Sequence, residues 1–524
     1  MGGSLTMAKP LISASIAAPA FYGLNTQESG VTLQEGFALH ADNCIIDKQG
    51  RLSSRKGWAT QTVALGGSTG ANVDVGLLGI TDFKDITGAE TRISWSATKF
   101  YKGTADLIEV TPNTADTIAA GNWQSATLND HQFFFQRGYE PLIYTNESGS
   151  TEFESYSEHD HTTSGYPEAN TVLAAYGRLW AADTTTNKTT VYFTTVLDGA
   201  KFSTGTSGTL DISSVLTQGM DEIVTLGAHN GYLIIFCKNN IIIYSDGDNF
   251  QSGMTVSNLT LVEVIEGVGC IARDSVQNTG EDILFLSNTG VRSLNRTVQE
   301  KSQPMRDISK NIRNDIIQAV EFEDVNLIKS VYSPNNAIYL LMTPTTRQTF
   351  CFDTRAQMED GSFRVTVWPS FLPASFLSAG ADIFLAVANG IAKYTGYQDN
   401  GAAYQMSYYS NYFDLGIPNV NKMVKRLTAT TVGATGQSFA LKIGYEYSPI
   451  YYSQAFTLET GVIYEYGVSE YNLSEYAGSV LINEQSSPAS GAGNILQVGF
   501  AAMIDGAALS LQKLSIYAKQ GKVL

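Results

Sequence analysis

Apolar and aromatic residues along this chain fall in short runs of four to six, or alternate strictly with polar ones. Each run closes on a turn of Gly, Asn or Thr. That is the period of β-strands, not of helices. Seven stretches show it most clearly: "RISWSATKFYKG" from Arg92, "HQFFFQRGYEPLIYT" from His131, "RLWAADTTTNKTTVYFTT" from Arg178, "YLIIFCKNNIIIYSDGD" from Tyr232, "DILFLSNTGVRSL" from Asp282, "AIYLLMTPTTRQTFCFDT" from Ala337 and "DIFLAVANGIAKYTG" from Asp382. The units begin roughly 39 to 55 residues apart, the spacing of propeller blades. A blade is a small sheet that cannot bury both faces alone, so blades pack radially about an axis. The pattern predicts a mainly β chain with a β-propeller of six or seven divergent blades over residues 61–403. A stacked β-sandwich has a similar strand inventory and stays open as the alternative.

One segment departs from the β period. In "QPMRDISKNIRNDIIQAVEF", Met305, Ile308, Ile312, Ile316 and Val320 recur every three or four residues, which predicts an amphipathic helix over 304–321 between two blades. Pro304 suits its start and Asp307 its first turn. After residue 404 the strands lengthen and Gly- and Ser-rich stretches separate them, predicting a C-terminal β-sandwich-like domain over 404–524. Residues 1–60 read as an N-terminal arm and a hairpin: strand "CIID", turn "KQG" and strand "RLSSRKGW". Arg51 and Arg55, four apart, would share one face of that second strand. The stretch "MAKPLISASIAAPAF" faintly imitates a secretory signal, but Ser13 and Ser15 interrupt its apolar core, and an arm is the preferred reading.

Composition supports a cored protein: 43% of the 524 residues are hydrophobic, 16% are charged, and Tyr, Phe and Gly are abundant. The length suits two to four domains. No apolar run reaches the 18 residues of a membrane-crossing helix. The net charge of −17 argues against a surface built to grip nucleic acid, because affinity for phosphates comes from Lys and Arg. Cys44, Cys237, Cys270 and Cys351 are scattered and form no CxxC pair, so they read as core residues.

Candidate chemistry is sparse. "SEHDH" gathers Glu158, His159, Asp160 and His161; on a strand the two histidines would share a face, as metal ligands could, yet the surroundings read as a loop. The Asp-Gly turns at Asp198 and Asp246 lack the spaced ligands of a calcium loop. "GVGCIARDS" from Gly267 resembles a Gly-rich loop only superficially, since no βαβ context follows. No nucleophile elbow, zinc-protease or P-loop motif occurs. The residues predict no cofactor and no catalytic set. A glycan-binding or carbohydrate-hydrolysing propeller remains the alternative to a structural protein.

Three stretches carry a family resemblance. The first is 21–58, with Gly23-Leu24-Asn25, then Asn43, then Gly50-Arg51-Leu52 followed by Arg55 and Gly57; Lys56 stands where a Pro is common. The second is "GVGCIARDSVQNTGEDILFLSNTGVRSL", and the third "NYFDLGIPNVNKMVKRL". In order and content these resemble the tail nozzle or hub proteins of short-tailed bacteriophages, the tail tubular protein B and packaged-DNA stabilization proteins. The resemblance implies a non-enzymatic virion subunit, made in the host cytoplasm and placed in the tail. It implies a homo-hexameric ring below a head-to-tail adaptor, with tail fibres or spikes as further neighbours. DNA would leave through the ring without sequence-specific contact. An interface role is expected for Asn43, Arg51 and Arg55, where the arginines could pair with acidic groups on a neighbouring subunit or the adaptor or else be solvated on the hairpin, and for the basic cluster Lys422, Lys425 and Arg426, whose alternative is a solvated strand edge guarded by Lys. Six copies at −17 each would line a negative tube that repels phosphates.

Overall fold

The computed structural model describes residues 11–523, other than 67, 70–73, 147–150, 160–164, 217–218, 246–258, 301–306, 435 and 459–480. Asp160, His161, the Asp246–Gly247 turn, Pro304 and Met305 therefore lie outside the described residues.

Each of the seven hairpin units becomes part of an antiparallel sheet, and the sheets follow one another over residues 79–110, 124–155, 169–211, 223–266, 277–293, 329–367 and 375–394. Among the described residues each range contributes four strands except 277–293 and 375–394, which contribute three; the first sheet also takes up Ala64–Leu65 and Ser68–Thr69, and 329–367 is part of a ten-stranded sheet. The protein is thus a β-propeller of six complete blades and one reduced sheet. Residues 375–394 supply only three strands of the last blade; Trp58–Thr60 pairs antiparallel with Gly390–Tyr394 as the fourth. The last blade then packs on the first through Leu77, Ile80, Ala386 and Ile391, which closes the ring.

The continuous apolar runs follow from this arrangement. Successive side chains of a strand point to opposite faces, and every blade has a neighbour on both. In "HQFFF", Phe134 enters the core shared with Phe83, Trp95 and Phe100 of the first blade. Phe133 and Phe135 enter the core shared with Val172 and Leu179 of the third. "YLIIFC" divides the same way: Leu233, Ile235 and Cys237 face Trp180 and Phe193, while Ile234 and Phe236 face Phe285. Each such buried side chain is worth about 1.5–3 kcal/mol.

The chain ends build a second unit together. One sheet holds Leu11–Ala17, Cys44–Ile46, Leu52–Ser54, Val420–Gly433, Leu481–Pro488 and Leu509–Val523. Facing it are Gly23–Leu24, Phe37–Asp42, Tyr404–Phe413, Leu496–Ile504, Ser438–Tyr445 and Tyr452–Thr457. Phe21, Cys44, Leu52, Tyr408, Leu427, Leu441 and Leu514 share the core between them. The sandwich expected at the C-terminus is therefore built from both termini. Its second sheet runs on into the sixth blade, because Gly23 pairs with Val365 of Arg364–Val367. The stretch that imitates a secretory signal is, from Leu11 on, a strand paired with Leu509–Val523.

The predicted helix is shorter than its periodicity. A 3-10 turn at Lys310–Ile312 leads into Arg313–Glu321, and Ile308, Ile312 and Ile316 are buried. Residues 307–309 are held otherwise: Ser309 Oγ accepts the Val291 amide at 2.9 Å, and Asp307 pairs with Arg292 at 3.3 Å. A second helix, Leu294–Glu300, stands where the fifth sheet would take a fourth strand. Among the described residues no helix is long and apolar enough to cross a membrane.

Candidate functional site

The seam between propeller and sandwich is built around Arg55. This residue lies just after Leu52–Ser54 and just before Trp58–Thr60, so the long second strand read from "RLSSRKGW" is two short ones with a bend. Its side chain is fully buried. Nη1 and Nη2 donate to the two Asp399 carboxylate oxygens at 2.8 and 2.6 Å, a forked geometry suited to guanidinium. Nε donates to Asn43 Oδ1 at 3.0 Å, and further bonds reach Ser370 Oγ and the Lys56 carbonyl. The guanidinium lies 4.1 Å from the Tyr404 ring centre, and the Tyr404 hydroxyl donates back to the Arg55 carbonyl. Burial pushes the Tyr404 phenol up despite the Arg55 charge beside it. Asn43, at φ 51°, also donates to the Gln405 carbonyl at 2.8 Å.

Most of the expected interface residues are thus inside the subunit. Arg51 is buried and paired with Asp47 at 2.8 Å, four residues earlier in the same hairpin. Arg51 and Arg55 do not share a solvent face, which corrects the reading of one long second strand, and their carboxylate partners belong to this chain. Asn43 is buried as well. Lys422 is also buried, with Nζ donating to the Ile417 and Asn494 carbonyls at 2.6 and 2.7 Å. Burial holds its ammonium below the ordinary lysine value, against the pull of Asp414 and Glu446. Lys425 and Arg426 are exposed on the outer face of the sandwich, where Arg426 lies over the Tyr517 ring at 4.5 Å.

The histidine cluster is placed differently from its sequence reading. His159 ends a one-turn helix, Tyr156–His159, and bonds Glu154 at 2.7 Å. Among the described residues no group of three or more His, Cys, Asp or Glu could hold a metal ion. All four cysteines are buried and unpaired.

A network with no sequence signature of its own is built on "GVGCIARDS" and joins distant blades. Arg273 Nη1 donates to the Asn170 carbonyl at 2.7 Å and Nη2 to Asn122 Oδ1 at 2.9 Å. Those residues stand at the starts of the inner strands of the third and second blades. Arg273 also forks onto Asp274, which Lys329 of the sixth blade approaches from the other side. The charged group therefore bridges blades on opposite sides of the ring. Burial alone would raise the Asp274 carboxyl; Arg273 and Lys329 outweigh it and hold the acid well below its usual range. Adjacent Arg and Asp between apolar strands was the only local signal, and its partners lie over 50 residues away on either side.

Comparison with known proteins adds little. No protein-family model matches the chain, and no curated protein matches it in sequence. Among solved structures it is similar to PorZ of Porphyromonas gingivalis, a surface component of the type-IX secretion system, with 10% identity and TM-score 0.35. That alignment covers 68% of this chain and 42% of PorZ, less than half of its length. Hsv2 of Kluyveromyces lactis aligns over 53% of this chain and 81% of its own, with 10% identity and TM-score 0.29.

Proposed function

We propose that this chain is a structural subunit of the tail nozzle of a short-tailed bacteriophage. It assembles as a ring, six-fold by the family resemblance, against a head-to-tail adaptor, and the ring closes and then conducts the DNA exit path. One observation carries the reading. The three stretches that resemble the family lie far apart in sequence, yet they supply one core: Phe21, Cys44 and Leu52 from the first, Ala272, Leu284 and Leu286 from the second, Phe413, Val424 and Leu427 from the third. The three segments thus meet where sandwich and propeller share a core, as a shared architecture would have them do.

Two features shape how such a ring would work. Arg273 and its partners tie the second, third and sixth blades together, which supports a DNA path between subunits over one through a propeller. The negative charge is also unevenly held. Residues 61–403 have 38 of the 50 acidic and 21 of the 33 basic residues, so the propeller accounts for the whole −17 and the rest of the chain balances. A tube wall made of propellers would repel phosphates; one made of sandwiches would not.

The test is mass in solution together with electron images of the purified chain, alone and co-expressed with a head-to-tail adaptor protein from the same source. Six-fold rings, alone or on the adaptor, support the reading. A chain that stays monomeric in both settings refutes it. Glycan binding by that monomer would move the assignment to the carbohydrate-recognising alternative.

A further inference from the structure

The outer face of the first sandwich sheet is basic on a strongly acidic chain. Register places the side chains. Ile16, Leu427, Leu514, Ile516 and Ala518 point into the core, so their alternate neighbours point outward. Lys513 stands opposite Thr430 and Ala17, Tyr517 opposite Arg426 and Ser13, and Lys519 opposite Met423 and Leu11. A register shift between Val424 and Arg426 turns Lys425 outward as well, beside Arg426. Four cations thus spread over six residues of strand length, roughly 20 Å. None of the four has an ion-pair partner among the described residues, and none has a polar side-chain bond. Across the strands Leu11–Ala17, Val420–Gly433, Leu481–Pro488 and Leu509–Val523 the sequence contains one carboxylate, Glu484.

We infer that this face binds the phosphate backbone of duplex DNA without regard to sequence. Charge complementarity names a polyanion, and the makeup of the face selects the kind. Between the cations stand the exposed Ser13 and Ser15, small hydroxyl side chains that keep the surface low and can donate to phosphate oxygens. A protein partner would require an apolar centre, where Lys is depleted; here the aliphatic side chains Leu11 and Met423 sit together at one end, and the Tyr517 ring between the lysines is covered by the Arg426 guanidinium. Interfaces with nucleic acid are polar and positive throughout. The net charge of −17 does not oppose this, because it belongs to the propeller, and salt screens it beyond about 8–10 Å. The site does not depend on ring formation, so an isolated subunit would have it.

The probe is a fluorescently labelled 30-base-pair duplex of mixed sequence, followed by anisotropy between 20 and 200 mM KCl. Up to four neutralised phosphates give a slope of log K on log salt of about −3 to −4, or roughly a hundredfold loss between 50 and 200 mM. The variant K425Q/R426Q/K513Q/K519Q should abolish binding with an unchanged circular-dichroism melt, and K513Q alone should reduce the slope by about one. A control removing two exposed propeller lysines, K84Q/K99Q, should bind as the parent does. No binding at 20 mM salt overturns the inference, as does binding that survives the quadruple variant. Salt-dependent self-association lost in the quadruple variant, with no DNA bound, also overturns it and assigns the face to a second copy. Rings that form normally without binding DNA leave the nozzle reading standing while refuting this one.

Discussion

Arg55→Met should open the seam between sandwich and propeller from inside a single subunit. The guanidinium is fully buried and Asp399 is 13% exposed, so removing the cation leaves a nearly buried carboxylate without its partner. Breaking a buried pair from one side costs about 3–5 kcal/mol. Stacking on Tyr404 adds to the loss, and Asn43 Oδ1 loses a donor. The nearest reporters are the Gly57 amide, which donates to the Gly396 carbonyl at 2.9 Å, and the Trp58 amide, which donates to the Gln398 carbonyl at 2.9 Å. A chain of two units does not unfold in one step, so the measurement is local: native-state hydrogen exchange at Gly57 and Trp58. Opening should become easier by the full 3–5 kcal/mol, raising their exchange at least a hundredfold. Arg55→Lys keeps the charge but not the fork, and should recover only part. Arg55→Met with Asp399→Leu removes both charges and should regain much of the protection. The reasoning fails if Arg55→Met changes local opening by less than about 1 kcal/mol, or if it leaves the isolated subunit intact and blocks only association.

Three further outcomes follow from other parts of the structure. Gly57→Ala should detach the closing strand, since a Cβ there would lie 1.9 Å from the Gln398 carbonyl oxygen; limited proteolysis after residue 57 and a melting loss of more than about 3 kcal/mol would register it. Asp274 has a depressed folded-state pKa, so it stabilises the fold above the ordinary aspartate value near 4, and that contribution is lost as pH falls towards its folded value. Lys329→Met removes one of the two cations responsible, so the acid limb of a pH–stability curve should move to higher pH; an unmoved limb refutes the assignment. The four thiols should not react with a thiol reagent in the native protein and all four should react in denaturant, because burial raises each, Cys270 to about 11.

Local pattern identified the blades because each hairpin closes on itself within a few residues. "HQFFFQRGYEPLIYT" became His131–Phe135 and Leu142–Tyr144 without reference to anything distant. What pattern missed depends on pairing across the chain. Nothing near Trp58 announces Gly390–Tyr394 as its partner, and nothing near Leu11 announces Leu509–Val523. The two arginines failed for the same reason. Their spacing suggests one exposed face, but the strand between them is three residues long and Asp399 lies 344 positions away. The basic face was hidden differently: a chain-wide charge averages an acidic propeller with a balanced remainder, and only the sheet register shows which lysines stand together.

The pairing of Trp58–Thr60 with Gly390–Tyr394 also sets a schedule. A ribosome makes the closing strand early and its partner more than 300 residues later, and the sandwich waits longer still, until Leu509–Val523 emerges. At about 5–20 residues per second, the first strands spend roughly half a minute to a minute and a half with their edges unpaired. The inner blades can form in that interval from contacts of their own. Closure of the ring and assembly of the sandwich therefore come late in synthesis, in that order: a chain stopped before residue 390 would contain nearly every blade and lack both, and one stopped before residue 509 would lack the sandwich alone.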